Sequence, residues 1–416
     1  MSSQAKRITI RDVGYIPGVL PSGPLNSILD VPGVHISQVT MPTKKDLPPG
    51  CIAAKGVTVI SPRPPQEFYK PCQAGKFTFN GNGELTASRQ IEDWGFTNMP
   101  ISFTNSLSLG TVFDGTWDWV LDQQDRFKWD ELTKARQYGT PVVGETADWM
   151  INSDLRASRL DREDIRLAFE NLKSADDGAF VEEGQRGGGA GMTCHMYAGG
   201  TGTASRVVGG GEGSTREYTV GVLIQSNYGR QGDLIIGGVP IGKILAKENE
   251  AKNKEHDEGA DVHAPPSKPL PTDLGGRTKD GSILMLIITD APLASHQLNR
   301  LARHATVGLT LVGGYGVGRN FSGDIFLALS TADNGPQQLE GTKMRTFNPT
   351  QTYQSEVVKN ESIDPYFYAV AEAVEEAVLN SMVGGRSGTR CMSGTEIAGF
   401  PMDKIRSLLD KHLVKV

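Results

Sequence analysis

At 416 residues with 38% hydrophobic side chains, the chain is long enough to bury a sizeable core and too apolar for wholesale disorder. A formal net charge of −6 and no Lys/Arg cluster exclude the basic face that a nucleic-acid binder turns to phosphates. No run reaches the roughly eighteen apolar residues of a membrane helix, and the start MSSQAKRITIRDVGY lacks a signal-peptide apolar core, so a soluble, cytoplasmic protein is expected.

Fifty glycines without a three-residue period point to many tight turns and close backbone approaches, not a fibrous repeat. The four cysteines, Cys51, Cys72, Cys194 and Cys391, are scattered and form no CxxC pair. The histidines form no HExxH; His296 and His304 share a helix face with no acid or thiol nearby to complete a site. Reduced core cysteines are expected, and no metal site.

In chain order, residues 8–62 read as short strands and turns, with GVTVISP (56–62) a buried strand. PISFTNSLSLGTVFDG (100–115) mixes β-formers with small hydroxyl residues, the pattern of a strand ending near a site. Residues 158–173 carry a helical stripe through Ile165, Leu167, Ala168 and Leu172. The glycine-dense segment 182–214 has neither the GK[ST] of a P-loop nor a clean GxGxxG, and predicts turns and bulges in a β-rich layer. YTVGVLIQSNYG (218–229) reads as a strand entering a polar turn.

From 246 to 280 the chain is charged, proline-bearing and poor in β-branched and aromatic residues, which predicts an exposed flexible loop. The buried strand SILMLIITD follows, then a helix over 295–307 with Leu298, Leu301, Ala302 and Ala305 on one face. GDIFLALSTA (323–332) predicts a strand, and 364–383 a helix with Asp364 as N-cap and Pro365 in its first turn. Strands and helices are interleaved throughout, so the class is α/β or α+β, built in layers.

The seam between Gly281 and Ser282 can carry chemistry. A serine hydroxyl can attack the carbonyl of the residue before it, exchanging an amide for an ester that water then cleaves. Glycine before the serine relieves the strained geometry. The freed α-amine of Ser282, with a reference pKa of about 7.7–8.0, can then serve as general base for its own hydroxyl. On its own, a Gly-Ser before a strand is also a common turn.

Other stretches add to the seam: FNGNGELT (79–86), TNSLSLGTV (104–112), PVVGETADWMIN (141–152), GGGAGMTCHMYAGGTGTASR (187–206), VGVLIQSNYG (220–229), GSILMLIITDAPLASHQLNRLARHATVGL (281–309) and GDIFLALSTAD (323–333). In this order they resemble the DmpA-type aminopeptidase family, which includes β-peptidyl aminopeptidases and the L-aminopeptidase/D-Ala-esterase, and they span most of the chain. The resemblance implies one catalytic domain over 1–416, a four-layer αββα sandwich of N-terminal-nucleophile type. It would be self-cleaved into a larger part, 1–281, and a smaller part, 282–416, within a homotetramer. The implied activity is release of an N-terminal residue from small peptides, amides or esters through an acyl-enzyme, with no metal or organic cofactor.

Roles carry over by position. Ser282 matches the nucleophile. Ser322 and Asp324 match a second serine and an acid beside it, with aspartate where several members have glutamate. Asn227 matches the oxyanion-hole asparagine, and Glu145 the acid thought to hold the substrate's free amine. Ala147 stands where some members place a tyrosine that assists the oxyanion, and Trp149 and Met150 also depart from the familiar pattern, so the pocket is expected to differ. Asn82, Glu84 and Asn105 are pocket or scaffold residues. Blander readings remain beside these: a turn at Ser322-Gly323, a turn asparagine at 227, a structural carboxylate at 145. The competing functions are an amidase or acyltransferase on the same scaffold, and an unprocessed, inactive relative acting as a binding protein. A threonine-nucleophile acetyltransferase is disfavoured by Ser282, and an ordinary α/β-hydrolase by the absence of GxSxG.

Overall fold

The computed structural model of the chain describes residues 7–42, 54–129, 139–149, 151–152, 156, 159–214, 216–257, 281–333, 352–390 and 396–414. Strands β1 (His35–Pro42) and β2 (Ala54–Ser61) open one sheet, and β3 (Cys72–Gly81) and β4 (Phe96–Thr97) belong to another. The first sheet continues with β5 (Ile101–Asn105), β6 (Val142–Thr146) and β7 (Lys173–Ser174), in the order β6-β5-β2-β1-β7. After a short hairpin, β8 (Thr193–Cys194) with β9 (Tyr197–Ala198), the second sheet takes β10 (Thr201–Gly209), β11 (Glu217–Asn227), β12 (Ser282–Thr289) and β13 (Gly323–Ser330). Its order is β10-β11-β12-β13-β3-β4. The helices are α1 (Ser88–Trp94), α2 (Leu109–Arg126), α3 (Arg162–Glu170), α4 (Ile241–Asp257), α5 (Ser295–Val312), α6 (Asp364–Gly384) and α7 (Met402–His412).

Side-chain alternation along β12 explains the layering. Ile283, Met285 and Ile287 point to one face, where they pack with Leu298, Leu301 and Ala302 of α5 and Val370 and Val374 of α6. Leu284, Leu286 and Ile288 point to the other, against Ile60, Ile101, Phe103 and Val142 of the first sheet. A strand covered on both faces needs an unbroken apolar run, and SILMLIIT supplies one. Each such side chain contributes about 1.5–3 kcal/mol on full burial. On the far face of the first sheet, Val57, Val59 and Val143 pack with Val112 of α2 and Ile165 and Ala168 of α3. The order is helices, sheet, sheet, helices: a four-layer αββα sandwich.

Two parallel strand pairs in otherwise antiparallel sheets locate the site. β5 and β6 are parallel, joined across α2, and β12 and β13 are parallel, joined across α5. Parallel pairing puts like ends together. The starts of β12 and β13 therefore meet at one edge, and the antiparallel β11 ends there too.

Several expectations need correction. Residues 246–257 belong to α4, not a loop; 258–280 lie outside the described residues. The segment IGKILAKENEAKNKEHD is rich in Ala, Leu, Glu and Lys, all good helix formers, and Ile244 and Leu245 pack on the core. The stretch 100–115, read as a strand, is a strand only to Asn105, and from Leu109 it belongs to α2, whose glycines, valines and tryptophans weaken a helical signal. The α6 N-cap is Ile363, with Asp364 the first helical residue, and α5 runs on to Val312. Cys72 and Cys194 are buried and free, whereas Cys51 and Cys391 lie outside the described residues.

Candidate active site

Ser282 is the first residue of β12, and its Cα partner across the sheet is Asn227, the last residue of β11. By alternation both side chains share the face of Leu284 and Leu286, toward the first sheet. Both are nearly buried, 9% and 8% exposed. A β-carbon built on Gly281 would sit 2.2 Å from Tyr228 Cα, so only glycine fits directly before Ser282.

Ser282 Oγ accepts a hydrogen bond from Gly323 N at 3.1 Å. That glycine is also sterically required, since a β-carbon there would lie 2.6 Å from Asn82 O. On either side of it, Ser322 Oγ lies 2.7 Å from both Asp324 oxygens. Asp324 Oδ2 further accepts from Gly318 N at 2.6 Å, and the Asp324 carboxylate also takes the Ile283 amide. Burial pushes the Asp324 carboxyl up to about 6, against the pull of these donors. The Ser322–Asp324 pair was expected beside the nucleophile. It lies one residue to each side of Gly323 and reaches Ser282 through that residue's N–H and through the Ile283 amide.

The Asn227 amide is held at both ends. Its Oδ1 accepts from Thr193 N at 3.2 Å, and its Nδ2 donates to Ala147 O at 2.6 Å. This fixes which end is oxygen and leaves a second N–H on Nδ2, beside Ser282. Ala147 thus enters through its backbone carbonyl, a contribution no side-chain pattern displays.

Glu145, one residue before the end of β6, approaches this edge from the first sheet. Its Oε1 accepts from Glu84 N at 3.0 Å and its Oε2 from Ser106 Oγ. A β-carbon on Gly83 would touch both Gly323 Cα, at 3.2 Å, and Glu145 Oε1, at 3.5 Å, so the carboxylate neighbours the residue bonded to Ser282 Oγ. Burial raises the Glu145 carboxyl, and the nearby Glu84 charge adds to it. Asn105 and Glu84, which the sequence leaves between pocket and scaffold, act as holders: Glu84 by its N–H, Asn105 by donating to Asp148 Oδ2 at 2.7 Å. Sequence reasoning does not single out Ser106, Asp148 or Thr193, although all three lie inside the motif stretches. Trp149 is exposed, while Met150 lies outside the described residues.

The description of peptidase family S58 matches residues 26–395. The chain belongs to peptidase family S58. It is 35% identical over 405 residues to the beta-peptidyl aminopeptidase BapA of Sphingosinicella microcystinivorans, covering 97% of this chain and 92% of that one. Among solved structures it is similar to the L-aminopeptidase D-Ala-esterase/amidase of Ochrobactrum anthropi, described as a prototype serine aminopeptidase and a variant of the Ntn hydrolase fold. There the identity is 32% and the TM-score 0.78, over 98% of this chain and 99% of that one. A Burkholderia sp. beta-aminopeptidase matches at 33% identity and TM-score 0.77, over 98% and 100% of the two chains. This S58 chain is accordingly a hydrolase, a serine aminopeptidase of Ntn-hydrolase fold. No helix among the described residues is long and apolar enough to cross a membrane, and no cluster of three or more His, Cys, Asp or Glu there could hold a metal ion.

Proposed function

We propose that this single-domain chain cuts itself between Gly281 and Ser282, and that the new terminus is the nucleophile of an aminopeptidase. In the first step Ser282 Oγ attacks the Gly281 carbonyl. The C–N bond breaks and the acyl group passes to oxygen, and water hydrolyses the ester to a Gly281 carboxylate and a free Ser282 amine. The Gly323 N–H at Oγ favours the oxygen as it gains negative charge.

In turnover, the Ser282 amine takes the proton from its own hydroxyl as Oγ attacks the substrate carbonyl. The second N–H of Asn227 Nδ2 receives the oxyanion, a contribution of roughly 2.7–4 kcal/mol in comparable hydrolases. The proton passes to the departing amine, and water releases the acyl group. Ser322 and Asp324 orient the Ser282 hydroxyl and amine indirectly: Asp324 holds the Ile283 amide next to Ser282, and Ser322 holds the Asp324 carboxylate. Glu145 receives the ammonium of the substrate, restricting the enzyme to chain ends. Substrates are small peptides, amides or esters with a free amine. N-terminal β-amino acids are included as candidates because relatives named β-peptidyl aminopeptidases match nearly the whole chain. The working unit is a homotetramer in the cytoplasm, an expectation that rests on family resemblance and composition.

The observation that carries this reading is the meeting of Ser282 Oγ, the Asn227 amide and Gly323 N at the start of a strand buried on both faces. Hydrolysis of amides with free and with acylated N-termini, for both α- and β-amino acids, tests it. The reading expects turnover of free amines only. Equal rates on acylated substrates would make the protein a general amidase instead.

A further inference from the structure

Asp148 is 1% exposed and has no assigned role in the scheme above. Its Oδ2 accepts from Asn105 Nδ2 at 2.7 Å and from Asn152 Nδ2 at 2.6 Å. Its own carbonyl accepts from Ile151 N at 3.1 Å and Asn152 N at 3.0 Å. Asn152 is in turn tied to β2, exchanging bonds with Ala54 N at 3.1 Å and Ala54 O at 2.7 Å. One carboxylate oxygen therefore knots together the end of β5, the segment after β6 and the start of β2. The other, Oδ1, is buried with no hydrogen-bond partner among the described residues.

The residue directly before Asp148 is Ala147, whose carbonyl holds the Asn227 amide at 2.6 Å. Glu145, three residues earlier, is held by hydrogen bonds from Ser106 and the Glu84 amide, neither of which involves Asp148, and the two carboxylates meet only through their charges. We infer that Asp148 is a positioning residue for the oxyanion asparagine: its carboxylate fixes the Ala147 carbonyl, which aims the Asn227 amide at the carbonyl under attack by Ser282. The inference rests on the oxyanion role proposed for Asn227. It predicts that losing Asp148 damages the chemical step and spares binding of the substrate's amine.

The test is a double-mutant cycle on the fully cleaved protein, with kcat taken per processed chain. Asp148→Leu keeps the shape and removes the acceptor; Asp148→Asn keeps one oxygen to accept both amides. Expected is a kcat loss of about tenfold or more for Asp148→Leu, a fraction of the 10²–10³ lost with an oxyanion donor, with KM within about twofold. Asp148→Asn recovers most of it. In an Asn227→Ala background, Asp148→Leu costs less than about twofold more, because the group it positions is gone. Should Asp148→Leu not fold, Asn105→Ala, which removes one donor, takes its place with the same expected pattern. Equal losses in both backgrounds, a raised KM with unchanged kcat, or Asp148→Asn as damaged as Asp148→Leu would overturn the assignment. If Asn227→Ala alone keeps full kcat, the oxyanion reading itself fails and this inference with it.

Discussion

Two regions of the molecule bury carboxylates, and they treat them in opposite ways. Along α6, Glu372 and Glu376 face Arg206, which is fully buried, at 3.0 and 2.8 Å, and Arg11 also binds Glu376, at 2.6 Å. Burial alone would raise the Glu376 carboxyl, but the Arg11 hydrogen bond and the Arg206 charge bring it below its ordinary value. At the cleft, Glu145, Asp148 and Asp324 are held by N–H and O–H groups among the described residues, and burial raises all three. Glu375 is an internal control. It sits on the same helix as Glu376 and feels the same Arg206 charge, but its hydrogen-bond donor is the neutral Tyr15 hydroxyl at 2.6 Å, and burial with the Glu372 and Glu376 charges raises its carboxyl. The partner, more than the depth of burial, decides the outcome. In the helix layer the cations are built in and the charges tie the N-terminal segment to α6. Among the described residues no cation pairs with these three carboxylates, which suits the ammonium-binding role proposed for Glu145.

The contrast can be broken from either side. Ser282→Ala has the largest expected effect: an uncut chain on a denaturing gel and no detectable turnover, because both proposed reactions use one hydroxyl. Arg206→Met comes next. Removing the buried cation takes the ion pair from Glu372 and leaves Glu376 with Arg11, and should cost about 3–5 kcal/mol of stability, read by denaturant unfolding, with kcat per folded molecule preserved. A large kcat loss there would mean the two regions are not separate. Glu145→Gln keeps the shape and removes the charge. It should lower kcat/KM for free-amine substrates about 100-fold, within the 2–5 kcal/mol of truncated buried charge pairs, and leave self-cleavage intact.

The smallest effect is a pH dependence. The Asp324 carboxyl stands at about 6 instead of its ordinary 3.8, so its charged form, which receives Ser322, Gly318 and Ile283, is lost as pH falls through 6. Its loss adds a second, lower acid limb in kcat/KM near that value, beneath the one that protonation of the Ser282 amine sets. Stability runs the other way. The folded state holds this proton more tightly than the unfolded chain, so the group's contribution declines as pH rises from the ordinary carboxylate range to about 6. Asp324→Asn should flatten urea-unfolding stability across that interval, and an unchanged slope would reject the assignment.

Parts of this site are legible in the amino-acid sequence. The seam at Ser282 stands out because a strand buried on both faces has to be an unbroken apolar run, and SILMLIIT is one. The individual roles of Ser282, Asn227, Glu145, Ser322 and Asp324 come through the family resemblance, since nothing local marks Asn227 as more than a turn residue. The holders stay hidden for a physical reason. Asn105 and Asp148 meet because β5 and β6 run parallel with Asn105 opposite Thr146, a register that no short window encodes. Ala147 contributes a carbonyl, which every residue type has, and Gly323 an N–H, which all but proline have. The helix α4 is obscured because its charged residues suit both a solvated helix and an unfolded segment.

Both proposed reactions turn on one hydroxyl that first severs its own backbone and then serves at the new terminus. Intact-mass measurement and N-terminal sequencing of purified, active protein test that most directly. The expected result is two associated fragments, the smaller beginning at Ser282, with activity tracking the cleaved fraction. Full activity in a chain whose Gly281–Ser282 bond is unbroken would contradict it.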